Sequence, residues 1–247
     1  MVSKNQIKLI KSLSQKKQRQ AKGLFVAEGK KTIAELLDSP LKLGMLFSEE
    51  DIFDVPREKF VLLEKGELKK ISFLTTPQSA LAVFQVPSGF NPEYEALSLV
   101  LDGVRDPGNL GTIIRLCDWF GIPELVCSED TVDCYNPKVV QATMGSIARV
   151  KISYVNLTEY LTARPQDLPV FGTFMDGENI YSDPLPQKAM LIMGNEANGI
   201  SEVVAKQVNQ RVAIPQFGKE ASAESLNVAT ATAICLSEFK RTAFTGR

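Results

Sequence analysis

Three polar loops contain the residue types best suited to bind and orient a ligand. Each begins with an apolar stretch, and they are LDGVRDPGNLGTIIR (101–115), LIMGNEANGIS (191–201) and VAIPQFGKEASAESLNVATA (212–231). Glycine lets a backbone approach a ligand closely, and asparagine offers one acceptor and two donors. Taken singly, each loop is also consistent with an ordinary turn.

The absence of histidine limits the chemistry that these loops could perform. It excludes Ser-His-Asp and Cys-His catalysis, histidine general bases and histidine-bound metals. The sequence also lacks a GxxxxGKS or GxxxxGKT phosphate loop, and GNLG (108–111) does not have the GxGxxG order of a dinucleotide fold. Carboxylates, lysine, arginine, hydroxyl groups or a cofactor must therefore perform any reaction.

The overall composition is that of an ordinary globular protein, with 44% hydrophobic and 23% charged residues. The four cysteines have neither zinc-ribbon nor redox-pair spacing, so we expect structural thiols. No apolar run is long enough to cross a bilayer, and the first residues are too charged for a signal peptide. We therefore expect a cytoplasmic protein with no membrane partner.

The elements that must position the three loops alternate between apolar strands and helices. This alternation predicts an open α/β fold with a mainly parallel sheet covered by helices on both faces. In such a sheet, ligands bind beyond the carboxyl ends of the strands. The predicted strands are 97–104, 124–129, 150–155, 169–175, 189–194 and 211–215, and the predicted helices are 112–121, 136–150 and 225–239.

The first third of the chain predicts a separate, smaller α/β unit. A linker rich in turn formers, PSGFNPEYEA (87–96), divides the chain into expected domains at 1–90 and 97–247. The predicted helices of the first domain are 3–22 and 30–39, and its predicted strands are 24–29, 42–48, 59–64, 71–74 and the end of 76–87.

The net charge of −1 hides a strongly basic amino-terminal segment. Residues 1–31 contain nine lysines and arginines and one acidic residue, a charge of +8. Clustered positive charge is typical of a phosphate-binding surface, and it is equally consistent with a solvated helix face.

Taken together, the three loops resemble the three signature motifs of the SpoU (TrmH-type) RNA 2′-O-ribose methyltransferases of the SPOUT class. The motifs occur in the family's order across roughly the last 150 residues. FVAEGKKTIAELL (25–37) and LTTPQSALAVF (74–84) resemble the L30e-like RNA-binding domain that precedes the catalytic domain in many members. The sequence departs from the family at the insertion QFGKEASAE (216–224) and at Ala197, where many members have glycine.

The resemblance implies a SPOUT fold with a carboxy-terminal trefoil knot, a homodimer and S-adenosylmethionine as methyl donor. No metal is required, because the sulfonium is already a good leaving group. By position in the motifs, the donor pocket would comprise Thr173, Met193, Gly194, Gly199, Ile214 and Leu226.

The resemblance also assigns the catalytic residues. Arg115 would engage the ribose hydroxyl, with the phosphate beside it. Because a guanidinium stays protonated to a pH of roughly 12, we favour an electrostatic clamp, and the identity of the general base stays open. Asn109 would orient the ribose or Arg115, and Glu196 would hold the loops or the arginine. Ser225 and Asn227 would complete the site.

The predicted substrate is structured RNA, with ribosomal RNA favoured over transfer RNA because of the L30e-like domain. Two alternatives remain: an RNA-binding protein with an inactive methyltransferase fold, and a base methyltransferase of a related knotted family. The residues expected to contact RNA are Lys16, Lys17, Arg19, Lys22 and Lys30.

Overall fold

The computed structural model describes residues 1–90, 92–94, 96–218 and 225–244. Its helices are α1 (Lys4–Ser12), α2 (Lys16–Lys22), α3 (Lys30–Leu37), α4 (Pro107–Trp119), α5 (Pro137–Thr143), α6 (Leu157–Thr162), α7 (Glu202–Ala205) and α8 (Val228–Phe244). Its strands are β1 (Leu24–Glu28), β2 (Leu43–Ser48), β3 (Phe60–Leu62), β4 (Ala80–Gln85), β5 (Ser98–Leu101), β6 (Glu124–Ser128), β7 (Lys151–Val155), β8 (Val170–Asn179), β9 (Met190–Met193) and β10 (Gln210–Ala213).

The contacts among residues divide the chain into two compact units. Unit 1 comprises Met1–Ser88 together with Asp133–Arg149, and unit 2 comprises Gly89–Val132 and the chain from Val150 onward. The segment containing α5, which the sequence groups with the second domain, thus packs within unit 1. The expected domain boundaries at residues 90 and 97 stay a prediction.

Unit 1 is a four-stranded sheet in the order β1-β4-β2-β3. β4 pairs antiparallel with β1 and β2, and β2 pairs in parallel with β3. Phe25 and Phe84, on the paired strands β1 and β4, stack with their ring centroids 5.8 Å apart. The apolar stretches that predicted these strands therefore form the core of the unit.

The predicted helix over 3–22 is interrupted between α1 and α2. Ser3 caps α1, while Gly23, with a φ of +61°, follows the last residue of α2. At the break, the guanidinium of Arg19 donates to the carbonyl oxygens of Leu13 (2.7 Å) and Ser14 (2.9 Å). These side-chain bonds satisfy carbonyls that a continuous helix would have bonded within itself.

Arg19 was expected to contact RNA, and the structure shows that this expectation is wrong. Its side chain is only 3% exposed, and its Nε donates to Asp133 Oδ2 at 2.8 Å. A buried guanidinium that already binds two carbonyls and a carboxylate is not available to a phosphate. Arg19 therefore ties α2 to the segment Asp133–Arg149 within unit 1.

We expect Asp133→Ala to lower the free energy of unfolding by about 3–5 kcal/mol, because it leaves a buried guanidinium without its counterion. Urea denaturation of the full chain measures this change. Lys17→Ala, which removes an exposed charge from α2, the helix of Arg19, should change the free energy of unfolding by less than about 0.5 kcal/mol. Equal stability of the Asp133 variant and the parent would contradict a structural role for this ion pair.

Two further predictions of secondary structure differ from the structure. No strand forms over 71–74, because the carboxylate of Glu28 accepts from Ser72 Oγ (2.5 Å) and from the backbone N–H of Phe73 (2.7 Å) in place of a neighbouring strand. The helix predicted over 136–150 ends at Thr143, where Met144 and Gly145 both have positive φ.

Unit 2 contains a six-stranded sheet in the order β10-β8-β9-β5-β6-β7, and every pairing is parallel. This confirms the predicted mainly parallel sheet. Leu101 at the end of β5 pairs with Met193 at the end of β9. The first two polar loops therefore leave the sheet side by side at the same edge.

The four cysteines are buried and none is disulfide-bonded, which confirms the prediction of structural thiols. Burial raises the pKa of Cys117, which keeps this thiol protonated. Within the described parts of the chain, no helix combines the length and apolar character needed to span a bilayer.

Candidate active site

The first polar loop presents Asn109 at the start of α4. Asp106 is the N-cap, and its carboxylate accepts from the backbone N–H of Asn109 at 2.8 Å. Pro107 follows in the first turn, where its missing N–H costs nothing. The Asp-Pro-Gly-Asn turn therefore serves as a helix cap that fixes the backbone of Asn109.

The second polar loop closes on itself between Asn195 and Gly199. Their backbone groups bond to each other in both directions at 2.9 Å, and Gly199 has a φ of +68°. A Cβ on Gly194 would lie 2.2 Å from the carbonyl carbon of Gly199. The close approach that requires glycine at position 194 is thus made by the loop's own backbone.

Glu196 joins the second loop to the first. Its carboxylate accepts from the backbone N–H groups of Arg105 (3.3 Å) and Asp106 (3.2 Å) and from Asn109 Nδ2 (3.0 Å). Together, these bonds hold the carboxylate at the N-terminal turn of α4, where its negative charge is stabilised by the helix. Glu196 thus links the first two polar loops, and its part in the reaction stays a prediction.

Asn227 joins the third motif to the same group. It caps α8, accepting from the backbone N–H groups of Ala229 (3.0 Å) and Thr230 (3.3 Å). Its Nδ2 then donates to Asn109 Oδ1 at 2.9 Å. A carboxylate at one end and backbone donors at the other fix the orientation of both amides. We call Asn227, Asn109 and Glu196 the three-motif network.

The charge state of Glu196 follows from this network. Partial burial works to raise its pKa, but hydrogen bonds from Asn109 and from backbone N–H groups outweigh it and leave the pKa below its ordinary value. Glu196 is therefore an anion at neutral pH. A carboxylate whose ionised form is stabilised in this way is a weak base, so its geometry favours positioning over proton abstraction.

We expect Glu196→Gln to lower the melting temperature by an amount that is constant through neutral and mildly acidic pH. A carboxylate with a lowered pKa stabilises the fold above its ordinary pKa of 4.5 and loses this contribution as pH falls through the lower folded-state value. The difference between parent and variant should therefore shrink only in that acidic range. Thermal unfolding across pH measures it, and a difference that vanished near pH 6 would refute the assignment.

Arg115 is not brought into the three-motif network. It lies six residues beyond Asn109 on α4, which places it about 120° around the helix from that residue. Its side chain is exposed, and no hydrogen bond or ion pair reaches its guanidinium from the described residues. Ser225 and Leu226 are also exposed, with Leu226 at 51%. The catalytic roles of Arg115 and Ser225 stay predictions.

Three of the residues expected to hold the methyl donor lie on or directly after strands of unit 2. Thr173 Oγ1 donates to the carbonyl of Ile192 at 3.3 Å, immediately before Met193, and Ile214 follows β10. Because the Met193 side chain is 2% exposed, only its main chain can face a ligand. Residues 219–224, in the inserted part of the third motif, lie outside the described residues.

Sequence reasoning missed two charged residues beside the network, Arg105 and Asp130. Arg105 donates its backbone N–H to Glu196, and its Nη2 lies 3.4 Å from Asp130 Oδ2. The two are 25 positions apart. Adjacent strands β5 and β6 bring them together, and the sequence carries no signal for that adjacency.

Comparisons with known families match both parts of the chain. The SpoU rRNA Methylase family matches residues 96–237, more than half of the chain. The MRM3-like substrate binding domain matches residues 4–82.

Similar proteins cover nearly the full length of the chain. The 23S rRNA (guanosine(2553)-2′-O)-methyltransferase RlmP of Bacillus subtilis is 30% identical over 239 residues, spanning 94% of this chain and 95% of the relative. A solved structure of a TrmH-family protein from Porphyromonas gingivalis is 42% identical, with a TM-score of 0.89 over 98% of this chain and 99% of that one. The crystal structure of AdoMet-bound rRNA methyltransferase from Sinorhizobium meliloti is 29% identical, with a TM-score of 0.83 over 98% and 97%.

Proposed function

Because this chain belongs to the SpoU rRNA methylase family, we propose that it transfers the methyl group of S-adenosylmethionine to a guanosine 2′-hydroxyl of 23S rRNA. The observation that carries this proposal is the three-motif network. Asn109, Glu196 and Asn227 come from three separate loops, and two side-chain hydrogen bonds of 3.0 Å and 2.9 Å join them at one edge of the sheet. Guanosine as the target nucleoside rests on the name of the Bacillus relative.

The residues at the sheet edge fit the methyl donor. The main chain at Met193 and Gly194, the Thr173 and Ile214 positions and the exposed Leu226 side chain would hold it, with Gly199 shaping the loop. When bound, S-adenosylmethionine would supply a methyl group on a sulfonium, from which the neutral thioether leaves without the help of a metal. The relative from Sinorhizobium meliloti was crystallised with AdoMet bound.

The proposed roles of the chain's own residues follow from the geometry and the chemistry of the hydroxyl. A ribose 2′-hydroxyl ionises far above neutral pH, so the site must position it and stabilise the forming alkoxide. Arg115 supplies a permanent positive charge for that purpose. Asn109, held rigidly by Glu196 and Asn227, orients the ribose, and Ser225 completes the site.

The basic segment would hold the RNA through Lys16, Lys17, Lys22 and Lys30. Lys30 Nζ contacts Glu50 Oε2 at 2.7 Å, but the two side chains are 42% and 50% exposed, so a phosphate can replace the carboxylate at little cost. Arg19 is left out of this set because it is buried.

We expect Lys17→Ala with Lys22→Ala to weaken RNA binding at low salt and to reduce the salt dependence of log K by about 1.5, since two phosphate contacts are lost. Filter binding of 23S rRNA across a salt series measures the slope. The double variant Lys65→Ala with Lys69→Ala removes the same charge from exposed positions of unit 1 and serves as the control. If log K depended equally on salt in both double variants, the basic segment would be a solvated helix face and not an RNA-binding surface.

The proposal also includes the oligomeric state, the chain topology and the location of the protein. We propose a homodimer formed through the face of α4 that carries Arg115 and Trp119, which lie four residues apart; the tryptophan is 84% exposed. Sedimentation equilibrium tests this assembly. A trefoil knot through the third motif and a cytoplasmic location, as for enzymes acting on bacterial rRNA, are proposed with it.

Mapping 2′-O-methyl sites in total RNA, with and without the gene, tests the proposed substrate. We expect one guanosine of 23S rRNA to lose its methyl group when the gene is absent. A lost site in transfer RNA would favour the tRNA alternative, and an unchanged map would contradict the proposal.

A further inference from the structure

The motif loops contain one cationic side chain, that of Arg105, to which the proposed reaction assigns no role. Across loop residues 102–111 and 194–199, Arg105 is the only cationic residue, among the anions Asp102, Asp106 and Glu196. Its side chain is 70% exposed, and its backbone N–H donates to Glu196 at the centre of the three-motif network.

We propose that Arg105 binds the RNA backbone phosphate next to the target ribose, an inference that rests on the proposed function. The reason is the covalent structure of RNA. The 2′-hydroxyl and the 3′-phosphate are attached to neighbouring carbons of one ribose, so a site that holds this hydroxyl must also accommodate a phosphodiester. Without Arg105, the only charged side chains that these loops could present to that phosphate would be carboxylates.

The backbone that carries Arg105 is rigidly mounted. The N–H of Gly103 donates to Ser128 Oγ at 2.9 Å, and the N–H of Val132 donates to the carbonyl of Val104 at 2.9 Å. Asn195 Nδ2 donates to the carbonyl of Gly103 at 2.5 Å. Because bonds to both neighbouring strands already fix this backbone, only the side chain of Arg105 must be ordered when it binds an anion.

Asp130 keeps the guanidinium at the edge of the site before RNA arrives. Ser128 Oγ donates to Asp130 Oδ1 at 2.6 Å, and this bond, with Arg105 nearby, holds the pKa of Asp130 below its ordinary value. The contact with Arg105 is long, at 3.4 Å, and Asp130 is 56% exposed. Exposed pairs of this kind contribute little, so a phosphate can replace the carboxylate and accept the bidentate fork of the arginine.

The test is steady-state methyl transfer by the full-length protein to unmethylated 23S rRNA transcript, across a salt series. Arg105→Ala should raise the KM for RNA roughly tenfold, the loss of one charge-assisted contact, with kcat within about twofold. It should also reduce the salt dependence of log KM by about 0.7–0.9, the value for one phosphate. Arg105→Lys should restore the slope and part of the KM, because the charge returns without the fork.

The matched control is Arg57→Ala, which breaks a similarly exposed arginine–aspartate pair with Asp51 in unit 1. It should leave KM and slope unchanged. S-adenosylmethionine affinity and melting temperature should be the same in every variant. A parental KM and slope in Arg105→Ala would overturn the inference. If the parent itself transferred no methyl group, the proposed function would fail, and the salt slope of direct RNA binding would still decide the phosphate contact.

Discussion

Arg115→Ala is expected to slow single-turnover methyl transfer by about 100-fold or more, the effect of removing one preorganised charge from a forming oxyanion. The fold should not suffer, because Arg115 is exposed and no described residue bonds to its guanidinium. S-adenosylmethionine affinity should survive as well, since the residues proposed to hold the donor lie on other loops. A large loss of rate with intact donor binding, stability and dimer assembly is the signature of a chemical role.

Arg115→Lys separates the two possible roles of the arginine. A charge clamp predicts that lysine keeps part of the rate, because the cation remains while the fork is lost. A general base predicts that the pH–rate profile moves to lower pH, because lysine has the lower pKa. The assay is single-turnover transfer at several pH values with RNA and donor saturating. Near-normal turnover in Arg115→Ala would leave this residue as a structural or phosphate-binding group.

Gly194→Val is expected to lower the affinity for S-adenosylmethionine by about 100-fold or more, because a displaced loop leaves polar groups unpaired at about 1–3 kcal/mol each. Its Cβ would lie 2.2 Å from the Gly199 carbonyl carbon and 2.3 Å from the Ile200 nitrogen, so the loop must open. Glu196 lies in that loop, so the three-motif network should be displaced with it. Isothermal titration measures the donor affinity.

Two glycine substitutions control for this result. Gly89→Val makes the same chemical change where a Cβ meets nothing within 4 Å, and it should bind the donor normally. Gly199→Asn places a residue that tolerates positive φ at an unobstructed position, so its affinity should fall far less than that of Gly194→Val. Donor affinity in Gly194→Val equal to that of the parent would remove this loop from the donor pocket.

Local sequence pattern predicted the elements of unit 2 because their burial is periodic or continuous. All six strands expected in the second part exist, since each is an apolar run bounded by turn formers. The pattern could not assign the segment Asp133–Arg149 to unit 1. The composition of this segment does not depend on the unit to which it belongs. Its contacts reach more than 100 positions along the chain, as from Arg149 to Glu35.

The contacts among the predicted site residues could not be read from the sequence. The motifs suggested Asn109, Glu196 and Asn227, but only the structure shows that hydrogen bonds link the three side chains in series. Basic composition could not distinguish Arg19 from the neighbouring lysines, because burial depends on its distant partner Asp133. The small size of Gly194 serves the loop's own closure, and its place in the donor pocket stays a prediction.

Product analysis of methyl transfer in vitro tests the central claim most directly. Purified protein, unmethylated 23S rRNA and S-adenosylmethionine carrying a labelled methyl group are combined without added metal, and the RNA is digested to nucleosides for mass analysis. We predict that the label appears on the ribose of 2′-O-methylguanosine. Label on a nucleobase, or no transfer by a folded protein that binds both RNA and donor, would contradict ribose methylation.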